Sequence, residues 1–140
     1  MPTPFDRSVI AEFRANAGRV GGPFAGGDLL LLTTTGAKSG KETTTPLGYV
    51  RHGGSLLVVG SNLGAPRHPG WYHNLLAHPS VRVELGAETF PALATPAGGA
   101  HRDELFEQVV KVSPGYGDYQ ARTTRLLPVV VLERAGDRAG

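Results

Sequence analysis

The chain has 140 residues, with 14 Lys and Arg against 12 Asp and Glu, a net charge of +2; this suits one domain with a sizeable core. So mild a basic excess, without a clustered Arg/Lys stripe, argues against nucleic acid as the main partner, while the pI near 9.2 is compatible with weak attraction to anionic membrane surfaces or anionic cofactors. The absence of Cys removes disulfides, thiolate catalysis and Cys-ligated zinc. The start, MPTPFDRSVI, lacks the apolar core of a signal peptide, and no stretch approaches the roughly 20 apolar residues of a membrane span. The expected location is cytoplasmic, with at most peripheral contact at the inner membrane face.

Residues 6–18 predict a short amphipathic helix over a barrel end: Asp6 caps it, Val9, Ile10 and Phe13 share a face, and Gly18 ends it. Gly21-Gly22-Pro23 and Gly26-Gly27 form a flexible connector to a strand beginning near Asp28. That strand runs through Leu29–Leu32 into Thr33-Thr34-Thr35, β-branched residues that favour extended backbone. A Gly-bounded loop, Gly36-Ala37-Lys38-Ser39-Gly40-Lys41, leads to Thr43-Thr44-Thr45 and Pro46. Pro46–Arg51 and Leu56–Ser61 then predict two strands joined at His52-Gly53-Gly54-Ser55, a hairpin signal. The second is continuously apolar and is expected in the middle of the sheet, covered on both sides.

A polar loop, Ser61 to Pro69, leads to a short helix at Gly70–Leu76, closed by His78-Pro79. Val81, Val83 and Leu85 alternate with Arg82 and Glu84, a half-exposed strand. Glu88–Ala94 follows, with Pro91 predicting an edge or a bulge. Residues 100–112 predict a helix with Leu105, Phe106, Val109 and Val110 inward, broken by Ser113-Pro114-Gly115. Tyr116–Arg122 reads as an aromatic polar segment, Pro128–Glu133 as the last strand, and residues 135–140 as a loose tail. About six strands with two or three helices give a single α+β domain, mainly antiparallel and partly closed into a barrel.

Chemistry-bearing motifs are few. No Gly-x-Ser-x-Gly elbow occurs. His68, His73 and His78 stand five apart, which aligns them on no helix face, and there is no His-Glu-x-x-His; no metal is expected, and these histidines read as polar residues beside a turn. The loop at 36–46 has two readings. It is either a solvated hairpin or an anion site, in which the glycines let backbone N–H groups face a ligand, Lys38 and Lys41 supply charge, and Ser39 and Thr43 to Thr45 supply hydroxyls. It is not a Walker A loop, because Glu42 follows Gly40-Lys41 and the continuation is extended. Trp71 likewise reads either as core or as a wall for a ligand ring. Together with Ser61, Asn62, Tyr116 and Tyr119, these pieces suit a flat aromatic ligand with an anionic tail.

The stretches LLLLTTTGAKSGKETTTPLGYV, LLVVGSNLGAPRHPGWYHNLLAHPSVRVELG and PGYGDYQARTTRLLPVVVLE run in the order found in the deazaflavin (coenzyme F420)-dependent nitroreductase and quinone reductase family, which the chain resembles from about residue 7 to 134. The resemblance implies a split β-barrel related to FMN-binding, pyridoxamine-oxidase-like proteins. It further implies reduced coenzyme F420 as hydride donor and a quinone, enone or nitro compound as acceptor, in a monomer or homodimer. By position, Ala37, Lys38, Ser39, Thr43, Thr44, Thr45, Pro46, Leu47 and Gly48 would line the phosphate and polyglutamate tail. Val59, Gly60, Ser61 and Asn62 would border the ring, with Ser61 nearest its reacting face. Gly70, Trp71, Tyr72, His73 and Asn74 would close over ring and ribityl chain. Tyr116 matches a cofactor-contacting tyrosine and Tyr119 one of the substrate pocket; Ser61 and Tyr119 are the candidate catalytic hydroxyls. Members often carry Arg where Ala37 or Thr43 stands, and some nitroreductases carry a tyrosine where Ser113 stands. The remaining alternatives are a non-catalytic binder of deazaflavin or a hydrophobic ligand, and an FMN oxidoreductase on the same barrel.

Overall fold

Two apolar stretches determine the frame. Leu29–Leu32 and Leu56–Val59 are buried at every position, so each must be covered on both faces, at about 1.5–3 kcal/mol per fully buried side chain. In the computed structural model, which describes residues 4–16, 29–61, 64 and 66–135, they are strands β1 (Leu29–Thr35) and β4 (Ser55–Val59). The other strands are β2 (Glu42–Gly48), β3 (Val50–His52), β5 (Ser80–Leu85), β6 (Glu88–Pro96) and β7 (Val129–Arg134). The helices are α1 (Pro4–Ala15), α2 (Gly70–Ala77), α3 (Gly99–Val112) and α4 (Gly115–Ala121).

All seven strands form one antiparallel sheet in the order β2-β1-β5-β6-β7-β4-β3. The order itself requires curvature. Six steps at the usual strand spacing of ~4.8 Å would part β2 from β3 by roughly 29 Å in a flat sheet. Only Tyr49 separates these two strands in the chain, and the two Cα steps from Gly48 to Val50 span at most about 7.6 Å. The sheet therefore curls until its edges meet, which is the split-barrel architecture and meets the α+β expectation.

Curling creates an inside and an outside. Inside lie Leu30, Leu32, Leu56, Val58, Val81, Val83, Phe90, Ala92, Val130 and Leu132, with Trp71 and Leu75 of α2 inserted among them. Outside, α1 covers Leu29 and Leu31 with Val9, Ile10 and Phe13. On the far outer face α3 and α4 cover Leu57, Val59 and Val129 with Leu105, Val109, Phe106, Tyr116 and Tyr119.

Several expectations are corrected. The stretch Pro46–Arg51 is not one strand: β2 begins at Glu42, ends at Gly48, and β3 starts on the opposite edge of the order, giving seven strands rather than six. β4 is covered on both faces as expected, but it stands next to the end of the order, not in its middle. β6 is internal despite Pro91. The Pro91 carbonyl accepts from Ala135 N–H at 2.9 Å, so its proton-less nitrogen faces the frayed end of β7, and no β5 ladder bond is lost. α1 starts at Pro4, which places Asp6 inside its first turn rather than at the cap. Gly18, the glycine connector and residues 136–140 lie outside the described residues. The Tyr116–Arg122 segment is helical, a fourth helix that its two glycines and two tyrosines conceal. Tertiary bonds hold it: Gln120 Oε1 accepts from Leu127 N–H (3.0 Å) and from the buried Arg102 guanidinium (3.0 Å), while Gln120 Nε2 donates to Arg125 O (2.8 Å).

Candidate functional site

Between β1 and β2 the chain must reverse within six residues, and it does so with its own backbone. Gly36 N–H donates to Lys41 O (2.8 Å), Gly40 N–H to Gly36 O (3.0 Å), and Lys41 N–H to Ser39 Oγ (3.1 Å). Gly40 takes φ +71°, which favours glycine there; a Cβ on Gly36 would stand 2.5 Å from Ser39 Oγ, so a side chain there would displace the hydroxyl that closes the turn. Lys38 and Lys41 are exposed, and neither has an ion-pair partner among the described residues. The adjacent carboxylate, Glu42, is turned away. Both its oxygens accept from Arg82 at 3.2 Å, and that hydrogen bond, with the guanidinium charge, holds its pKa below the usual carboxylate range. The loop thus keeps its positive charge facing solvent.

α2 brings a second positive pole. Trp71 and Leu75 anchor the helix inside the barrel, and no side chain caps its N-terminus at Pro69, so the partial charge of the helix end remains available to an anion. Asn74 ties helix to loop: its Oδ1 accepts from Ala37 N–H (3.0 Å), and its Nδ2 donates to Thr34 Oγ1 (3.1 Å). Between them opens a groove of about 630 Å³ lined by Gly36, Ala37, Lys38, Ser39, Thr43, Gly70, His73 and Asn74.

His73, on the groove wall, leads to a second cluster of polar groups at the exit of β4. The His73 ring lies 5.9 Å from that of His68, and His68 Nδ1 is 2.9 Å from Arg125 Nη1. Arg125 also donates to Gly60 O (3.0 Å) and Ser61 O (2.8 Å). Gly60 is enforced here, since a Cβ would come within 2.7 Å of Pro128. Beyond Ser61, a Cβ on Gly64 would meet Tyr119 O at 2.8 Å, so α4 bears directly on this loop. On α4, Tyr116 and Tyr119 pack edge to face, with centroids 5.9 Å apart. Burial first, then Tyr119, raises the Tyr116 pKa.

The structure gathers Ala37, Lys38, Ser39, Thr43, Gly70, His73 and Asn74 around one groove; Gly60 and Ser61 are not among its lining residues and are held by Arg125 through their carbonyls. It separates the three threonines. Thr43 lines the groove, but strand alternation turns Thr44 to the outer face, where its hydroxyl bonds Thr33 Oγ1 at 2.8 Å. Thr45 and Leu47 share the inner side with Thr43, and Leu47 packs on the inner core, while Pro46 and Gly48 alternate with them. Trp71 is 7% exposed and belongs to the core; Tyr72 is half-buried between His68 and Trp71. Val59 is buried toward α3 and α4. Asn62 lies outside the described residues. Among the described residues no three His, Cys, Asp or Glu side chains converge as metal ligands, and no helix is long and apolar enough to cross a membrane.

Sequence alone does not single out Arg125, Arg102, Gln120 or Thr34, and it presents His68 as a polar residue beside a turn. For Arg125 the one available signal is its place before Leu126-Leu127-Pro128, an apolar lead into β7 without an acidic neighbour. Nothing in the local sequence announces its acceptors among the described residues, at positions 60, 61 and 68.

Comparison with known proteins identifies the family. The family described as F420H(2)-dependent quinone reductase matches residues 5–134. F420H(2)-dependent quinone reductase Rv1261c of Mycobacterium tuberculosis is 43% identical over 128 residues, spanning 89% of this chain and 86% of that protein. A solved F420-H2 dependent reductase, FDR-A, superposes with a TM-score of 0.69 at 40% identity, covering 76% of this chain and 94% of the other. A structure described as a domain-swapped dimer gives 0.72 at 36% identity, covering 94% of this chain and 100% of the other. With a match over nearly its whole length and relatives above 40% identity, the chain belongs to the F420H(2)-dependent quinone reductase family.

Proposed function

We propose that the groove between the lysine loop and α2 holds the anionic part of reduced coenzyme F420, and that the cofactor's ring lies toward Gly60 and Ser61, where a quinone meets it. As a member of its family the chain is an F420H2-dependent reductase. The residues present suit the cofactor. Two lysines with no ion pair among the described residues, an uncapped helix N-terminus and a turn already closed by its own hydrogen bonds favour a phosphate with an acidic tail. The groove volume of about 630 Å³ is within the range of cofactor sites. The single observation that carries the reading is the Asn74 bridge, which fixes the helix end and the basic loop on one anion-sized space.

When bound, reduced deazaflavin supplies a hydride. The protein's contribution is orientation: holding donor and acceptor about 3–3.5 Å apart replaces a bimolecular encounter by a positioned one. As the quinone takes the hydride, negative charge grows on its oxygen. The Ser61 hydroxyl, half-exposed at the β4 exit, and the Tyr119 hydroxyl on α4 are the groups proposed to donate a hydrogen bond there and pass on the proton, giving hydroquinone.

The test is anaerobic oxidation of F420H2 by a soluble benzoquinone, with parallel titrations of F420 and FMN. Quinone-dependent turnover and binding of F420 in preference to FMN, which lacks the glutamyl tail, support the reading. Equal or better binding of FMN, or binding without turnover, overturns it. A Tyr119→Phe variant with unchanged turnover would remove Tyr119 from proton delivery. By likeness to the domain-swapped relative, we further propose a homodimer, to be measured by light scattering.

A further inference from the structure

Arg125 lies between α4 and β7, outside the lysine loop and the α2 end. Among the described residues its guanidinium meets Gly60 O at 3.0 Å, Ser61 O at 2.8 Å and His68 Nδ1 at 2.9 Å. A guanidinium has donors only. His68 Nδ1 must therefore accept, and the neutral ring carries its proton on Nε2. The planar fork of Arg suits this three-way contact, where the point charge of Lys would not. Around the His68 ring stand Tyr72, 4.9 Å away, and His73, both on α2, with Arg125 opposite and Arg67 preceding it in the chain. Burial first, then Arg125 and His73, push its pKa below the ordinary value.

We propose that His68 and Arg125 are a positioning pair for hydride transfer: neutral His68 aims Arg125, and Arg125 pins the Gly60 and Ser61 carbonyls so that the Ser61 hydroxyl keeps its place at the acceptor. The role at Ser61 rests on the function proposed above. A proton on Nδ1 abolishes the acceptor and sets two cations in contact, so the pair opens in acid. The folded-state pKa lies below the unfolded value of about 6.5. The pair's contribution to stability is therefore fully present above that value and is lost as pH falls through the lowered folded value.

Three readouts test the pair. Imidazole ¹⁵N NMR of the chain without cofactor, with His68 assigned by difference against His68→Asn, should show an unprotonated Nδ1, an Nε2–H and a titration midpoint below 6.5. Thermal melts should lose stability in that acid window for the wild type and stay level for His68→Asn, whose Oδ1 stands near the place of Nδ1. With F420H2 and benzoquinone, His68→Asn should keep kcat within about twofold, while His68→Gln and Arg125→Lys should lower kcat tenfold or more with little change in KM for the cofactor. An Nδ1–H tautomer, or Asn and Gln variants that behave alike, would overturn the proposal. If the wild type oxidises no F420H2, the proposed function falls, and the NMR and melting curves still decide whether the pair exists.

Discussion

Among the described residues, Asn74 is the side chain that hydrogen-bonds the lysine loop to α2, and Asn74→Ala removes it. Two hydrogen bonds go, from Ala37 N–H at 3.0 Å and to Thr34 Oγ1 at 3.1 Å. At about 0.5–1.5 kcal/mol net for each bond, the loss is about 1–3 kcal/mol. The upper half of that range is expected, because the Thr34 side chain is only 1% exposed and water cannot readily replace the lost donor. For a chain of this size about 3–4 °C accompanies each kcal/mol, so Tm should fall by roughly 6–12 °C. Binding should weaken as well. The loop then has to be ordered by the ligand, and an ordering cost of about 1.4 kcal/mol is a tenfold loss of affinity.

Asn74→Asp separates the two effects. Its carboxylate still accepts from Ala37 N–H, and the Thr34 hydroxyl can rotate to donate, so stability should fall by less than about 1 kcal/mol. The added negative charge faces the anion site, so F420 affinity should fall further than in Asn74→Ala. Differential scanning fluorimetry and fluorescence titration of F420 measure both quantities. An Asn74→Ala chain melting within a degree of wild type, or an Asn74→Asp chain binding F420 as well as wild type does, would refute the bridge.

Replacing both Lys38 and Lys41 by Ala should weaken F420 binding at low salt and flatten its salt dependence, as titrations between 50 and 300 mM salt would show, since exposed charges act through a screened field. Trp71→Ala should cost about 3–5 kcal/mol in urea unfolding and Trp71→Phe far less, because the indole fills the barrel interior; equal costs would mean that Trp71 is not core. Arg102→Met should cost about 2–4 kcal/mol, since the Leu127 carbonyl loses both guanidinium bonds, at 3.0 and 2.8 Å, and Gln120 loses one. Circular dichroism melts would check this, and an unchanged Tm would show that α4 and the chain before β7 are held otherwise.

Local pattern made most of the elements legible. Alternation at Val81, Val83 and Leu85, the uninterrupted Leu29–Leu32 run and the Gly53-Gly54 turn are each decided within a few residues, and the structure keeps them. What could not be read is what depends on closure. That Gly48 ends a strand on one edge while Val50 begins one on the other is a consequence of the curled sheet, and no window around Tyr49 contains it. The same holds for Thr44, whose hydroxyl looked equivalent to its neighbours until the strand phase turned it outward. It holds too for Arg125, whose partners are about 60 residues away. The resemblance located the lysine loop and the α2 segment, but it could not say which side chains there act on a ligand and which hold the scaffold.

That division of labour bears on Ala37, where the family resemblance leads to an expectation of arginine. Residue 37 serves through its backbone, as the N–H that Asn74 Oδ1 captures, while its methyl group is exposed. The hydrogen bond that positions the loop is therefore indifferent to the side chain at 37. The positive field in this groove comes from Lys38 and Lys41 on one segment and from the N-terminus of α2, more than 25 residues on in the sequence, with the Asn74 amide bridging the two. Glu42, the acid best placed to cancel that field, is committed to Arg82 on the opposite face of the sheet. An arginine at 37 would add charge to a cradle that backbone and lysines already form. If the anion binds in the proposed groove, the backbone of the loop and helix end sets its place, and the side chain at 37 would adjust only how tightly it is held.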